Sequence, residues 1–235
     1  MKNFSKSNYI KLINQFKKQG YLFKDYFNFK KKGCVILRHD VDFDLESAEE
    51  IAHIEKKQKI KSNFFFMISN NFYNIFSKNN QRIIKKIKYL GHNISLHYDH
   101  KNYNNIKEGL NFEKKAFEKI FNSKIRIISI HRPGKFLDKS IKFNLVKHAY
   151  ENCYFSEIKY FSDSGGHFKY GDPIKSQEFR NKKSMQLLIH PIWWVSKGKN
   201  PSEKLKHWMN NRLAFYRREI SENCKTFDKR KLILK

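Results

Sequence analysis

The sequence predicts an α/β fold in which mostly parallel strands are covered by outer helices. Two observations lead to this prediction: strand-like and helix-like hydrophobic periods alternate along the chain, and four strands end in polar clusters. In chain order these clusters are RHDVD, SLHYDH, SIHRP and LLIHP. Because the carboxyl ends of parallel strands form one edge of a β/α fold, we expect side chains from all four clusters to meet there.

The first half of the chain predicts a helix followed by a β-α-β unit. A leading helix is expected near residues 7–19, and a short apolar strand at residues 34–37 runs directly into RHDVD. Asp44 is a suitable N-cap for a helix over residues 45–57, and a buried strand follows at residues 63–68. The first of these strands delivers two carboxylates to its carboxyl end.

The rest of the chain continues the alternation of strands and helices. A helix near residues 80–90 ends at Gly91, a favourable C-cap residue, and Pro201 stands just inside a final helix that ends near residue 222. The other predicted elements are strands at residues 93–97, 124–130 and 185–189, helices at residues 106–121 and 140–150, and turns over residues 162–171.

The length and composition favour one cytoplasmic domain. The chain has 235 residues, 40% of them hydrophobic, so we expect a single domain over residues 1–235 with its motifs within about 33–195. The apolar runs are far shorter than the roughly 20 residues that cross a bilayer, and the basic N-terminus lacks the apolar segment of a secretory signal. Three widely spaced cysteines, Cys34, Cys153 and Cys224, fit a reducing compartment.

The formal charge of +27 resembles that of a nucleic-acid-binding protein. However, the lysines are spread along the whole chain, and we find no helix-turn-helix, zinc-finger or aromatic RNA-binding motif. The abundance of Lys, Asn, Ile, Phe and Tyr is typical of an AT-rich genome, so nucleic acid is disfavoured as a partner. A basic surface also attracts anionic membrane surfaces and phosphate-bearing substrates, such as a nucleotide- or lipid-diphosphate-linked sugar.

The polar clusters contain the residue types of a hydrolytic metal centre. Asp40 and Asp42 follow a strand at spacing DxD, so their side chains point to the same side, where one can bind a metal ion while the other accepts a proton. The His97 imidazole, with another ligand, would complete a site for a divalent ion such as zinc. His190, at the end of a separate strand, can protonate a departing amine.

These clusters resemble the motifs of polysaccharide deacetylases of the NodB-homology type, carbohydrate esterase family four, and especially of divergent members from surface-polysaccharide clusters. The resemblance covers roughly residues 33–195 and implies a distorted (β/α) barrel. The segments similar to the first to fifth family motifs are, in order, RHDVD at 38–42, GHNISLHYDH at 91–100, HRPG at 131–134, SDSGG at 162–166 and LLIHP at 187–191.

The resemblance also implies a role for individual residues. It makes Asp40 the catalytic base, Asp42 and His97 metal ligands, Arg132 the residue that orients Asp40, and His190 the general acid. Asp163 is expected to orient His190 through a hydrogen bond, as carboxylates beside catalytic imidazoles often do. The implied reaction is hydrolysis of an N-acetyl or related N-acyl group on a sugar precursor, at a C–N bond that is not a peptide bond.

One position departs from the family pattern. Where the family has a second metal-binding His, four residues beyond His97, this chain has Lys101, which cannot bind a metal while charged. The candidates for the third ligand are His100, Asp99 and His131, with a slight preference for His100 because it is nearest to the missing position. If none of them binds metal, the chain is expected to be a catalytically silent sugar-binding or scaffold protein on the same fold.

Four further residues have structural explanations that compete with functional ones. His39 and His92 are expected to satisfy backbone or side-chain groups rather than to bind metal. Trp193 and Trp194 can equally form part of the core or an apolar platform for a sugar ring.

Overall fold

A computed structural model describes residues 3–134, 143 and 146–228, and its centre is a curled parallel sheet of eight strands. The strand order is β6-β5-β4-β3-β2-β8-β7, with the short β1 also paired to β2, and each strand pair is parallel. The strands are β1 (Leu22–Phe23), β2 (Cys34–Val41), β3 (Asn63–Phe66), β4 (Asn93–Tyr98), β5 (Ile127–Ile130), β6 (Lys147–His148), β7 (Lys159–Ser162) and β8 (Met185–Ile189).

Helices connect the strands and cover the outside of the sheet. They are α1 (Lys6–Lys18), α2 (Leu45–Lys57), α3 (Lys78–Tyr89), α4 (Ile106–Phe121), α5 (Asn152–Phe155), α6 (Gln177–Arg180), α7 (Pro191–Val195) and α8 (Pro201–Asn223). Asp44 caps α2 as predicted, because its carboxylate accepts a hydrogen bond of 2.6 Å from the Ser47 amide. The predicted distorted (β/α) barrel, with mostly parallel strands and outer helices, is confirmed.

The alternation of side chains along each strand separates two faces of the sheet. On β2, Val35 and Leu37 belong to the large apolar cluster beneath the helices, whereas Ile36 belongs to a smaller cluster inside the curl. Arg38 and Asp40 share the parity of Ile36 and therefore point into the same interior. The sheet thus buries apolar residues on its outer face and places polar ones inside, toward the carboxyl ends of its strands.

His39 has the opposite parity and points from β2 toward α2, where it meets a buried carboxylate. Its Nε2 atom lies 2.8 Å from Oε1 of Glu55, and neither residue is exposed. The Tyr9 hydroxyl also donates to Glu55, and the Ser62 hydroxyl donates to its Oε2 atom at 2.5 Å. His92 joins this network through Ser62 and bonds the Ala52 carbonyl. These contacts account for both His39 and His92 as structural residues.

Because several buried donors depend on one carboxylate, replacing Glu55 is expected to be strongly destabilising. Glu55→Gln keeps the side-chain volume but removes the charge and turns one acceptor into a donor. We expect it to lower the free energy of unfolding by about 3–5 kcal/mol, as for other broken buried ionic contacts. Chemical denaturation measures this change, and Glu108→Gln on the exposed face of α4 is the matched control, expected within about 0.5 kcal/mol of wild type. Equal stability of both variants would contradict the interpretation.

Several predicted elements differ in extent or type from those observed. The predicted helix over residues 140–150 is wrong at Lys147–His148, which form strand β6 and pair with Ile127 and Ile128 of β5. The rest of that prediction falls partly on residues 140–142 and 144–145, outside the described residues. Strand β2 continues to Val41 instead of ending at residue 37, and strand β5 starts at Ile127 instead of residue 124.

The last helix, α8, begins at Pro201 as predicted and ends one residue later than expected. Its single buried side chain within the described residues is Lys204, whose Nζ atom donates to the carbonyl oxygens of Phe4 at 2.7 Å and Ser196 at 2.8 Å. None of the helices in the described ranges combines the length and the apolar character that a membrane span requires.

Candidate metal centre and active site

The polar strand ends meet around one cleft with a volume of about 380 Å³. Strand β2 and the residue after it contribute Asp40 and Asp42, strand β4 contributes His97, and the residues following β5 and β8 contribute His131 and His190. The geometry of parallel strands explains this meeting, since their carboxyl ends lie on the same edge of the sheet. The sequence prediction that side chains from distant motifs would converge here agrees with this arrangement.

Three of these side chains direct potential ligand atoms at one another. The Nε2 atom of His97 lies 3.1 Å from Nδ1 of His131 and 3.2 Å from Oδ1 of Asp42. The distance from Nδ1 of His131 to the same Asp42 oxygen is 3.6 Å. Within the part of the chain that is described, this is the one group of three such residues whose ligand atoms are mutually close enough for a metal ion.

The spacing of this group fits a divalent metal ion. A tetrahedral zinc ion with bonds of about 2.0–2.2 Å holds its ligand atoms about 3.3–3.6 Å apart, close to the three distances observed. The Oδ1 atom of Asp42 is buried and has no hydrogen-bond partner among the described residues, which is expected of an atom reserved for a metal ion. Two imidazoles and one carboxylate are also a common ligand set of catalytic zinc, with a fourth position open for water or substrate.

The other two candidates for the third ligand lie outside this group. After β4 the chain enters a short 3-10 helix, His100–Asn102, and Asp99 caps this turn by accepting a hydrogen bond of 3.1 Å from the Lys101 amide. The geometry therefore favours His131, one of the predicted alternatives, over the slightly preferred His100. His131 directly follows β5, the strand beside β4, so it can provide the third ligand in place of the His that the family has at position 101.

Asp40 is held by a buried ion pair with Arg38, two residues earlier on the same strand. The guanidinium donates from Nε to Oδ1 at 2.8 Å and from Nη2 to Oδ2 at 2.6 Å, and both side chains are almost completely buried. The Ser129 hydroxyl donates to Oδ2 at 3.0 Å. The planar fork of Arg matches a carboxylate in two parallel bonds, so it fixes the orientation of Asp40 as well as balancing its charge.

Arg132, for which the family resemblance implies this orienting role, lies elsewhere. It lines the mouth of the cleft, is exposed, and has a left-handed backbone conformation with φ of 44°. Asp40 has no hydrogen bond or ion pair with Arg132 among the described contacts. The turn after β5 directs His131 toward the metal group and Arg132 to the surface, so the guanidinium that contacts Asp40 comes from Arg38.

The electrostatic environment keeps both carboxylates ionised. Burial raises the pKa of Asp40, but the charge of Arg38, that of His97 and the hydrogen bonds from Arg38 outweigh burial and lower it to about 2. For Asp42, burial again opposes ionisation, but the close imidazoles of His131 and His97 outweigh it and bring the pKa of Asp42 well below the usual range. Two negative charges thus face the cleft together with the imidazoles.

His190 is oriented by Asp163, as the sequence predicts. Its Nδ1 atom lies 2.6 Å from Oδ1 of Asp163, and its backbone amide donates to the same oxygen at 2.9 Å. The second Asp163 oxygen accepts a hydrogen bond of 2.7 Å from the Trp194 indole. With Nδ1 engaged, Nε2 of His190 faces the metal group, 3.7 Å from Oδ2 of Asp42. Burial lowers the pKa of His190, but the hydrogen bond and charge of Asp163, with Asp42 and Asp40, raise it to about 9.

The two tryptophans predicted as core or platform have different positions. Trp194 is buried against Phe4 and Tyr9, and its indole donates a hydrogen bond to Asp163, so it is part of the core. Trp193 is also largely buried but lines the cleft beside Phe43, where its ring contributes to an apolar wall. An apolar wall opposite the polar group is typical of small-molecule sites.

Comparisons with known proteins yield structures alone, since no protein-family profile and no curated protein matches the sequence. The similar structures include members of the CE4 family. A CE4 family pseudoenzyme from Bacillus anthracis has a TM-score of 0.46 at 19% identity, covering 77% of this chain and 62% of its own. This chain therefore spans less than two thirds of that protein's length.

Two further structures are similar over more of their length. A family 4 carbohydrate esterase from Bacillus anthracis has a TM-score of 0.42 at 14% identity, covering 86% of both chains. The peptidoglycan deacetylase PdaC from Bacillus subtilis has a TM-score of 0.46 at 14% identity, covering 85% of this chain and 98% of its own.

Sequence reasoning missed the residues that support the site from inside the barrel. Arg38 was visible within RHDVD, and its position two residues before Asp40 on a strand places both side chains on the same face. Ser129 and Tyr150 give no comparable signal, because their contacts with Asp40 and Arg38 join distant parts of the chain. The Tyr150 hydroxyl accepts a hydrogen bond of 2.9 Å from Nη2 of Arg38.

Proposed function

We propose that this chain is a divergent metal-dependent deacetylase of the carbohydrate esterase family four type, which removes an N-acetyl or related N-acyl group from a sugar. The observation that carries the proposal is the group of Asp42, His97 and His131, whose three ligand atoms lie 3.1–3.6 Å apart. Asp40 and His190 flank this group, with Oδ2 of Asp40 at 3.7 Å from Nε2 of His97. A proton acceptor and a proton donor thus stand beside one metal centre.

The metal ion that these ligands fit best is zinc, because two imidazole nitrogens and one carboxylate oxygen suit a borderline ion better than a hard one. When bound, such an ion would polarise the amide carbonyl and lower the pKa of a water molecule. Asp42, His97 and His131 would hold it; His97 is buried, and Asp42 and His131 are partly exposed to the cleft from which substrate would approach.

Asp40 is proposed as the catalytic base. Its carboxylate is fixed by Arg38 and Ser129, so it can accept the proton of an attacking water without first reorienting. We assign to Arg38 the positioning role that the family resemblance implies for Arg132. The ion pair holds the carboxylate ionised and aimed at the metal group, which is the state that a base requires.

His190 is proposed as the general acid that protonates the departing amine. The hydrogen bond from its Nδ1 atom to Asp163 leaves Nε2 as the atom that faces the cleft. Asp163 is itself fixed by the Trp194 indole and by the backbone amide of His190, so the ring has one orientation. Asp163 therefore acts as a positioning residue, and His190 is the group that reaches the leaving nitrogen.

The substrate is proposed to be an N-acylated sugar precursor of surface-polysaccharide synthesis in the cytoplasm. The formal charge of +27 supports a substrate linked to a nucleotide or a lipid diphosphate, because a basic surface raises the local concentration of phosphate-bearing molecules. The same charge supports peripheral contact with an anionic membrane when the carrier is a lipid.

The experiment that tests this function incubates zinc-loaded protein with N-acetylated nucleotide sugars and N-acetylated oligosaccharides. We expect equal amounts of free acetate and of a new primary amine, both abolished when a chelator removes the metal ion. Sugar binding without any release of acetate from the metal-loaded protein would instead support the catalytically silent sugar-binding alternative, which the Lys101 departure favours.

A further inference from the structure

Two adjoining clefts lie at the amino-terminal end of the barrel, at the opposite end of the strands from the metal centre. The smaller, of about 180 Å³, is lined by the first residues of β3, β4 and β5. The larger, of about 400 Å³, lies between residues 23–28 and the starts of β3 and β4. Both are lined by Asp25, Asn63 and Asn93, and neither shares a lining residue with the cleft of the metal group. We call these two clefts and their rim the amino-terminal face.

Five positive side chains line the two clefts of the amino-terminal face. Lys24 and Lys61 line the larger cleft, whereas Lys88, Lys124 and Arg126 line the smaller one. All five residues are exposed. Their charges therefore form one positive surface at this end of the barrel.

The negative charge at these clefts is engaged within its own turn. Asp25 is the one acidic residue among the described residues that line them. Its Oδ1 atom accepts hydrogen bonds of 2.8 Å from the amides of Phe27 and Asn28, and its Oδ2 atom accepts one of 2.8 Å from the Asn28 side chain. This carboxylate offsets one of the five positive charges, so the clefts keep a net positive charge.

The fold explains why lysines that are spread along the sequence gather at this end. Helices in a β/α fold run opposite to the strands, so each helix ends where the next strand begins. The last turns of α1, α2 and α3 each carry two lysines, whereas Glu46 stands in the first turn of α2, at the other end of the barrel. Lysine in a last turn also interacts favourably with the helix dipole. The same pattern in three helices thus makes the amino-terminal end basic.

The positive charge continues beyond the two clefts, beneath β2 and β8. Residues 30–32 are three exposed lysines shortly before β2, and Lys32 forms a backbone bridge with Lys183, which comes shortly before β8. Glu157 offsets part of this charge through an ion pair of 2.8 Å with Lys31. Basic residues therefore follow the starts of the strands from β5 through β2 to β8.

Two exposed apolar side chains flank the larger cleft. Tyr89, the last residue of α3, is 89% exposed, and Leu22, the first residue of β1, is 57% exposed. Phe23, directly after Leu22, and Gly91, two residues after Tyr89, both line this cleft. A tyrosine among lysines is typical of a surface that meets lipid headgroups, where the apolar ring and the polar hydroxyl both find favourable surroundings.

We infer that the amino-terminal face attaches the chain peripherally to an anionic membrane. Each Lys or Arg near such a membrane adds to the attraction, without the fixed geometry that a specific phosphate site requires. The exposed Leu22 and Tyr89 favour a bilayer over a nucleic acid, because an aliphatic side chain gains from the boundary of lipid and water and not from a phosphodiester backbone. The partner is therefore a lipid surface of negative charge.

Attachment through this face leaves the active site accessible. The metal group lies at the carboxyl ends of the strands, so a membrane at their amino-terminal ends lies on the far side of the barrel from Asp42 and His97. The inference rests on the peripheral membrane contact of the proposed function and assigns that contact to one face. Membrane binding and hydrolysis can be measured separately, because the face and the metal group share no residue.

Sedimentation of the full chain with vesicles tests the inference. The probes are vesicles of phosphatidylcholine alone and of phosphatidylcholine mixed equally with phosphatidylglycerol. We expect wild type to bind the anionic vesicles at least about tenfold more tightly than the neutral ones, and to be released by high salt. Combining Lys24→Glu, Lys61→Glu and Lys124→Glu is expected to lower the affinity for anionic vesicles about tenfold or more, because three attractive charges become repulsive.

The matched control combines Lys78→Glu, Lys107→Glu and Lys206→Glu. These lysines are also exposed, lie away from the amino-terminal face and change the net charge by the same amount. We expect the control to lower the affinity less than about threefold, because charges beyond the Debye length from the membrane are screened. An equal loss in both triple variants would overturn the inference, since overall charge and not this face would then determine binding.

A second pair of variants tests whether the exposed apolar side chains reach the bilayer. Leu22→Ser with Tyr89→Ser is expected to weaken binding to anionic vesicles about threefold, because less apolar area enters the interface. Phe76→Ser with Phe112→Ser, at side chains 56% and 63% exposed elsewhere on the surface, is the control and is expected to bind as wild type does. Unchanged binding by the first pair would contradict contact of this face with the bilayer.

The remaining outcomes separate this inference from its rivals. Failure of wild type to bind anionic vesicles would overturn the membrane contact and leave the deacetylase function standing, since vesicle binding is measured without substrate. Vesicle binding that requires the three lysines, in a chain that releases no acetate, would support the face and count against the reaction. Binding of double-stranded DNA that requires these lysines, without binding to anionic vesicles, would assign the face to nucleic acid and overturn the inference.

Discussion

Replacing Asp40 by Asn is expected to lower kcat/KM for an N-acetyl sugar by roughly 10²–10⁴-fold while the bound metal remains. Asn has nearly the same shape, and its one oxygen can accept from Nη2 of Arg38 and from Ser129. Its NH2 group replaces the oxygen that accepts from Nε of Arg38, and Asn cannot take a proton from water. The three proposed ligands, Asp42, His97 and His131, are untouched by this change. Steady-state kinetics together with metal analysis of the same preparation measures both effects.

The Asp40→Asn result needs a comparison that separates loss of the base from loss of the fold. The substitution leaves the buried Arg38 guanidinium without its counter-charge, so some loss of stability is expected as well. Thermal unfolding must therefore show that the variant is folded at the assay temperature. A folded variant that keeps the wild-type rate would contradict the assignment of Asp40 as the base.

Replacing Arg38 by Met is expected to have the second large effect, a loss of about 3–5 kcal/mol of stability together with most of the activity. Met fills a similar volume, but it leaves the Asp40 carboxylate buried without its ion pair and frees the hydroxyls of Ser129 and Tyr150. The carboxylate then loses both its orientation and the positive charge that lowers its pKa. Denaturant unfolding and steady-state kinetics measure the two losses.

Arg132→Met is the matched control for Arg38→Met, because Arg132 and Arg38 are the two candidates for the arginine that orients Asp40. Arg132 is exposed at the mouth of the cleft, so its replacement is expected to change stability by less than about 0.5 kcal/mol. If Arg132→Met abolished activity while Arg38→Met left it intact, Arg132 would be the residue that orients Asp40, as the family resemblance implies. Our assignment of that role to Arg38 would then be wrong.

Much of the fold could be predicted because each strand carries its own signal. Short apolar runs that end in polar clusters identify β2, β4, β5 and β8, and the N-cap Asp44 and the proline Pro201 mark two helix starts. Strand β6 escaped prediction because Lys147–His148 has two residues only, and its pairing with β5 is a long-range contact that hydrophobic periodicity cannot reveal.

The site was partly predictable for the same physical reason. Asp40, Asp42, His97 and His190 lie at strand ends, where the fold class alone brings them together. The choice of the third metal ligand among His100, Asp99 and His131 depends on where the turn after β5 places His131. That position follows from the pairing of His97 with Ser129 between β4 and β5, which the sequence does not reveal.

The most direct test of the proposed metal centre is the zinc content of purified protein, measured on wild type and on single Ala variants of Asp42, His97, His131 and His100. We predict about one zinc ion per chain in wild type and in His100→Ala, and its loss in the other three variants, because the mutually close ligand atoms belong to those three residues. Retention of zinc by His131→Ala with loss in His100→Ala would show that the third ligand is misassigned. A wild-type protein that binds neither zinc nor cobalt would contradict the metal centre itself.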